Sequence, residues 1–122
     1  NILGFVASNV LRGDVKMLYW DQVKDLQPET DFLLDVRNPE ELEAGALERA
    51  VNIPLPQLRS RLDGLPRDRR IVVYCQAGQR AYYAYRILVQ EGFDAVNLSG
   101  GYKTYSHAVG RQLQFDEGDD TE

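Results

Sequence analysis

Cys75 is the one cysteine in the chain, and it stands in the stretch Tyr74-Cys75-Gln76-Ala77-Gly78-Gln79-Arg80. A run of β-branched residues, Ile71-Val72-Val73, precedes it, and an apolar pattern of helical spacing follows. A thiol does nucleophilic chemistry as its thiolate, so its surroundings must favour negative charge. This stretch supplies three means of doing so. Gly78 permits a sharp turn whose successive backbone N–H groups can converge on an anion. A helix starting near Gln79 adds unpaired N–H groups and the positive end of its dipole. Arg80 adds a full charge. The expected chemistry is covalent catalysis by Cys75, with Gln76, Ala77, Gly78, Gln79 and Arg80 as an anion-binding loop.

The elements that must hold this loop are legible around it. Residues 71–75 read as a fully buried strand, and 81–92 as a helix with Ala81, Ala84, Tyr85 and Leu88 on its core stripe and Gly92 beyond its end. Residues 31–36, Asp-Phe-Leu-Leu-Asp-Val, form a second unbroken strand, and residues 38–45 carry helix signals. These are Asn38 as N-cap, Pro39 at the first position, acids in the first turn and Gly45 past the end. Shorter strands are expected near 15–20, 49–54 and 94–98. Short helices are expected near 22–26, capped by Asp21, and near 55–66, with Leu55, Leu58, Leu62 and Leu65 in register. A last helix is expected over 102–113. Strands alternating with helices argue for an α/β fold, a mostly parallel sheet of about five strands with helices on both faces. In such sheets the binding crevice lies outside the carboxyl ends of the strands. Asp35 and Arg37 fall there beside the cysteine loop and are read as a buried ion pair that ties loops together.

Composition narrows the alternatives. A single cysteine excludes an internal disulfide and a CxxC pair and fits a reducing compartment, the cytoplasm. With one histidine, His107, no metal site is expected, and His107 reads as a surface or packing residue. The tail holds Asp116, Glu117, Asp119, Asp120 and Glu122. Setting these five aside leaves fourteen acids against fourteen Lys and Arg. Neither nucleic-acid binding nor membrane insertion is expected from this balance and hydropathy. Residues 113–122 read as an acidic, disordered tail, 15–112 as the folded domain, and 1–14 as a leader or linker from a preceding domain. The chain opens on Asn1, with its first methionine at Met17, as expected for a piece of something longer. Arg59, Arg61, Arg67, Arg69 and Arg70 read mainly as a solvated face, with phosphate binding as the alternative. Tyr82 and Tyr83 are candidates for the pocket mouth or a partner interface.

Together, the cysteine loop, "LLDVRNPEELEAGAL", "ERAVNIP" and "GFDAVNLSGGY" resemble the rhodanese-homology domains over about residues 15–108. The resemblance implies a rhodanese-like fold and a sulfurtransferase that carries sulfane sulfur as a persulfide on Cys75. It implies that Gly100 and Gly101 make a tight turn against the loop. Four residues between Cys75 and Arg80 resemble the sulfur-handling type. Related phosphatases carry one more. Thiosulfate users in the family often have two loop cations, whereas this loop has Arg80 alone, which favours polysulfide or a low-molecular-weight persulfide as donor. The sequence departs from the family pattern at Ala46, at Arg49 where glycine is common, and at Tyr102 and Tyr105 where tryptophan is common.

Residues 4–14 are similar to the segment that joins a pyridine-nucleotide–disulfide flavoprotein to a fused rhodanese domain, as in coenzyme A-disulfide and coenzyme A-persulfide reductases. That resemblance implies a fused or partner flavoprotein reductase, with FAD, NAD(P)H and coenzyme A used by the full-length protein and no cofactor in this domain. Two other readings stay open: a non-catalytic docking or regulatory module, and a cysteine phosphatase or arsenate reductase.

Overall fold

A computed structural model describes residues 15–120, with side chains described through residue 111. The expected leader, 1–14, lies outside the described residues. Five strands form one sheet: β1 (Met17–Leu18), β2 (Asp31–Asp35), β3 (Val51–Asn52), β4 (Arg70–Tyr74) and β5 (Ala95–Leu98). Their order is β1-β5-β4-β2-β3, and every neighbouring pair is parallel. β4 sits in the middle, paired with β2 from Asp31↔Arg70 to Asp35↔Tyr74 and with β5 from Ile71↔Ala95 to Val73↔Asn97. The unbroken apolar runs of β2 and β4 are therefore those of inner strands, covered on both faces. The two edge strands are only two residues each, which leaves little open ladder for another chain to pair with.

Two α-helices follow the strands that matter most. α1 (Gln79–Gln90) follows β4, and α2 (Gly101–Asp120) follows β5. Side chains alternate across the sheet, so each face has its own core. Leu34, Ile71, Val73, Cys75 and Ala95 pack with Ala81, Ala84, Tyr85 and Leu88 of α1 and with Leu58. Val72, Tyr74, Val96 and Leu98 pack on the other face with Leu18, Leu47, Tyr102 and Tyr105. The α1 stripe is the one its spacing predicts. Tyr82 is only 1% exposed and belongs to the first core, so of the two candidates for a pocket mouth only Tyr83 is exposed.

The remaining helical segments, Trp20–Asp25, Pro39–Ala44 and Leu55–Gly64, are 3₁₀ helices. The tighter turn suits short connectors. Asn38 and Gly45 bound the second segment where the sequence places its ends. The first begins two residues earlier than expected: Tyr19 is its cap, its N–H held by Gln22 Oε1 at 2.8 Å, and Asp21 lies inside the first turn. The backbone of α2 is helical through Asp120. Among the described residues no helix is long and apolar enough to cross a membrane.

Candidate active site

Parallel pairing brings the carboxyl ends of β2, β4 and β5 to one edge. Cys75 follows β4 directly and is 1% exposed. The chain then turns through Gly78, whose φ of 108° and ψ of −17° make it the left-handed cap of α1. Both effects expected of this turn are present. Cys75 Sγ accepts a hydrogen bond from the N–H of Gly78 at 3.0 Å and another from the N–H of Ala81, in the first turn of α1, at 3.2 Å. Sulfur is thus the acceptor for a loop amide and a helix-terminal amide, the geometry of an anion-binding turn.

The Gly100-Gly101 pair closes the other side. Both have positive φ, 74° and 65°. The turn lets α2 begin against the loop, where Tyr102 N donates to Cys75 O at 2.8 Å and Lys103 N to Gln76 O at 2.9 Å. A side chain at Gly101 would strike the carbonyl oxygens of Cys75 and Gln76. Two helix N-termini therefore hold the loop: α1 through the sulfur and α2 through the carbonyls behind it.

Arg80 is held by a carboxylate. Its guanidinium makes a two-point pair with Glu41, Nη1 to Oε1 at 2.7 Å and Nη2 to Oε2 at 2.8 Å. Glu41 Oε1 also accepts the N–H of Asn38 at 3.0 Å, so one carboxylate caps a 3₁₀ helix and fixes the loop arginine. The hydrogen bond to Arg80 draws the Glu41 carboxyl down to about 2. The same bond raises the Arg80 pKa, with a smaller contribution from the charge of Cys75. The Glu41 role was missed in the sequence, where Glu41 is one of two first-turn acids. Arg80 itself was the available signal, since a half-buried cation needs a partner.

Asp35 and Arg37 form the expected buried pair, with Nη2 2.8 Å from Oδ2 and both residues 0% exposed. Arg37 does more than pair. It donates to Gly45 O at 2.8 Å and Gln76 Oε1 at 3.2 Å, and its guanidinium lies 4.7 Å from the Tyr102 ring centre. Burial works against its charge, but the Asp35 hydrogen bond and charge outweigh burial, and its pKa is raised. Asn52 ties the same corner by donating to Asp35 O and Arg37 O at 3.0 and 2.8 Å. Tyr74, whose hydroxyl accepts the Leu47 N–H at 3.1 Å, is pushed well above the usual phenol range by burial.

Three of the run of arginines have separate partners. Arg67 donates to Glu91 O and stacks over Phe93, Arg69 donates to Pro28 O, and Arg70 pairs with Asp31. Asp31 and Arg70 begin β2 and β4, at the opposite edge of the sheet from Cys75. Among the described residues no group of three or more His, Cys, Asp or Glu is placed to hold a metal ion.

The rhodanese-like domain profile matches residues 19–108, most of the chain. The chain belongs to the rhodanese-like domain family. A sulfurtransferase of Allochromatium vinosum is 38% identical over 71 residues, 57% of this chain and 66% of that protein. Bacillus anthracis CoADR-RHD, in its reduced form, superposes with a TM-score of 0.80 at 39% identity, covering 86% of this chain and 19% of that one. A NAD-dependent persulfide reductase from A. fulgidus superposes with a TM-score of 0.67 at 36% identity, covering 82% and 17%. The chain thus spans just under two thirds of the curated relative and under a fifth of each larger protein.

Proposed function

We propose that this domain carries sulfane sulfur as a persulfide on Cys75. It takes the sulfur from polysulfide or a low-molecular-weight persulfide, such as that of coenzyme A, and passes it to a thiol acceptor or to a fused flavoprotein reductase. The carrying observation is the Cys75 sulfur accepting hydrogen bonds from Gly78 and Ala81 in a loop closed by Arg80. The Cys75 thiolate attacks the outer sulfur of R–S–SH. The Cys75–S bond forms, the donor S–S bond breaks, and R–S⁻ leaves, so one neutral sulfur moves without net oxidation. An acceptor thiolate reverses the step on the other side.

The two sulfur-bound amides act as pre-set donors for charge on either sulfur of the persulfide. No side chain acts as base, because a thiolate attacks directly. The phosphatase reading finds no support in the acids nearest the loop: Glu41 is committed to Arg80 and Asp35 to Arg37. Neither of these two acids is free to protonate a leaving alkoxide.

In this proposal the domain works in the cytoplasm as part of an NAD(P)H-dependent disulfide or persulfide reductase. FAD and NAD(P)H would bind the reductase part. The sequence of this chain contains no GxGxxG, and no step above passes through either group. Support comes from the two larger similar proteins. The test is intact mass after incubation with polysulfide or coenzyme A persulfide and desalting. A gain of one sulfur atom, removed by reductant and absent in Cys75→Ser, is expected. A folded protein that gains no sulfur from any donor would overturn the reading.

A further inference from the structure

The loop cation Arg80 is committed to Glu41, and the neighbouring Arg37 to Asp35. A charged donor must therefore find its counter-charge elsewhere. An open groove of about 530 Å³ begins at the catalytic loop, at Ala77 and Gly100, and runs along α2 past Lys103, His107 and Arg111. These three side chains are four residues apart, so they form one stripe along the helix, about 12 Å from first to last at 1.5 Å per residue. Among the described residues neither Lys103 nor Arg111 pairs with a carboxylate. The stripe starts against the loop itself, since Lys103 N holds Gln76 O. The volume is that of a small-molecule site, which typically runs to ~300–1,000 Å³.

We propose that this groove seats the phosphate-bearing tail of the thiol persulfide that loads Cys75. Lys103 and Arg111 are its specificity-determining residues, and His107 is a third donor between them. The inference rests on the persulfide-carrier reading and names the donor class for it. Two cations along one stripe match a tail with more than one anionic group better than a single carboxylate. The tail binds on α2 while the sulfur end reaches the loop past Ala77. The His107 reading as a surface or packing residue is thereby given a role.

The test compares two donors on wild type and on Lys103→Ala/Arg111→Ala. Coenzyme A persulfide is the phosphate-bearing probe, and 2-hydroxyethyl persulfide is the probe with an uncharged tail. The readout is the rate of Cys75 persulfide formation by mass, resolved into KM and kcat. The ratio of kcat/KM between the two probes should fall on the order of tenfold or more in the variant, through KM, as for loss of charge-assisted hydrogen bonds. Coenzyme A binding measured by calorimetry should weaken in parallel and more steeply with salt in wild type. An unchanged ratio, or an equal fall for both probes, would overturn the groove assignment while the carrier reading stands. Wild type that loads from neither probe nor from polysulfide would overturn both.

Discussion

Arg80 and Glu41 are joined at two points, at 2.7 and 2.8 Å, across 39 residues of sequence. The pair fixes the last residue of the cysteine loop to the 3₁₀ segment after β2. Its pH dependence follows from Glu41, whose pKa is lowered from 4.5 to about 2. A lowered carboxyl contributes stability that is present above the unfolded pKa and lost as pH falls through the folded one. Both side chains are about one third exposed, so solvent screens the pair and its contribution is about 1 kcal/mol. Urea unfolding of wild type and Glu41→Gln should therefore differ by a constant amount from pH 7 to near 4.5. The two curves should draw together as pH falls through about 2. A gap undiminished at that pH would show that Glu41 acts through something other than its charge.

Two glycines of α2 should respond to alanine in opposite directions. Gly101 has φ of 65°, and a Cβ there meets the carbonyl oxygens of Cys75 and Gln76. Neither the backbone angle nor the neighbours can yield cheaply. Gly101→Ala should cost at least ~2 kcal/mol and disturb persulfide loading. Gly110 lies in the same helix with nothing near its missing Cβ. Gly110→Ala should stabilise by about 0.5–1 kcal/mol through helix propensity. Thermal unfolding of both variants checks the pair, and a shift of the same sign in both would contradict it.

Arg37 is the most connected side chain of the site, bonded to Asp35, Gly45 O and Gln76 and lying over Tyr102. Arg37→Ala strands a buried carboxylate and should cost on the order of 3–5 kcal/mol. Arg37→Lys keeps the charge but loses the planar fork and the stacking, so it should recover only part of that. Asp35→Asn combined with Arg37→Ala should be less destabilising than the sum of the two changes, because the stranded charge is gone. Denaturant midpoints across this cycle test the claim. Full additivity would mean the pair is not coupled.

The sequence showed most where the signal is local. β4, the Gly78 turn and the α1 stripe lie within about twenty consecutive residues, and each has its own period or special backbone position. Glu41 with Arg80, and Arg37 with Gly45 and Tyr102, were hidden because those partners meet only once the sheet has formed. Strand lengths at the edges were overread for the same reason: β1 and β3 end where their single neighbour stops pairing, which composition does not encode. The choice of 3₁₀ over α-helix is a one-residue shift in hydrogen bonding that side-chain spacing barely registers. Arg49 was visible as a departure but not explicable. Its φ of 69° is the left-handed conformation in which a glycine is at ease, the physical reason for the family's preference.

Arg49 therefore offers a stability test that touches no catalytic residue. A non-glycine residue in the left-handed region costs about 1–2 kcal/mol, against about 0.5–1 kcal/mol of extra backbone entropy for glycine in the unfolded chain. Arg49→Gly should gain about 0.5–1 kcal/mol by that difference. In a domain of this size the midpoint should rise by a few degrees. A fall in midpoint would mean that the Arg49 side chain makes a contribution larger than its backbone strain.

Donor choice should respond to charge added at the rim of the loop. Thiosulfate is a dianion, and the loop offers it no uncommitted cation, so the wild-type domain should use it poorly beside polysulfide. Gln79 is exposed and opens α1, next to the amides that hold the sulfur. Gln79→Arg places a cation there without disturbing the Glu41–Arg80 or Asp35–Arg37 pairs. Sulfur transfer from thiosulfate to cyanide should rise about tenfold in kcat/KM, equivalent to ~1.4 kcal/mol. The gain should shrink at high salt, since it is electrostatic and partly exposed. Transfer from an uncharged persulfide should change far less. If both donors gain equally, the new arginine acts on the Cys75 thiolate itself and not on recognition of the donor's charge.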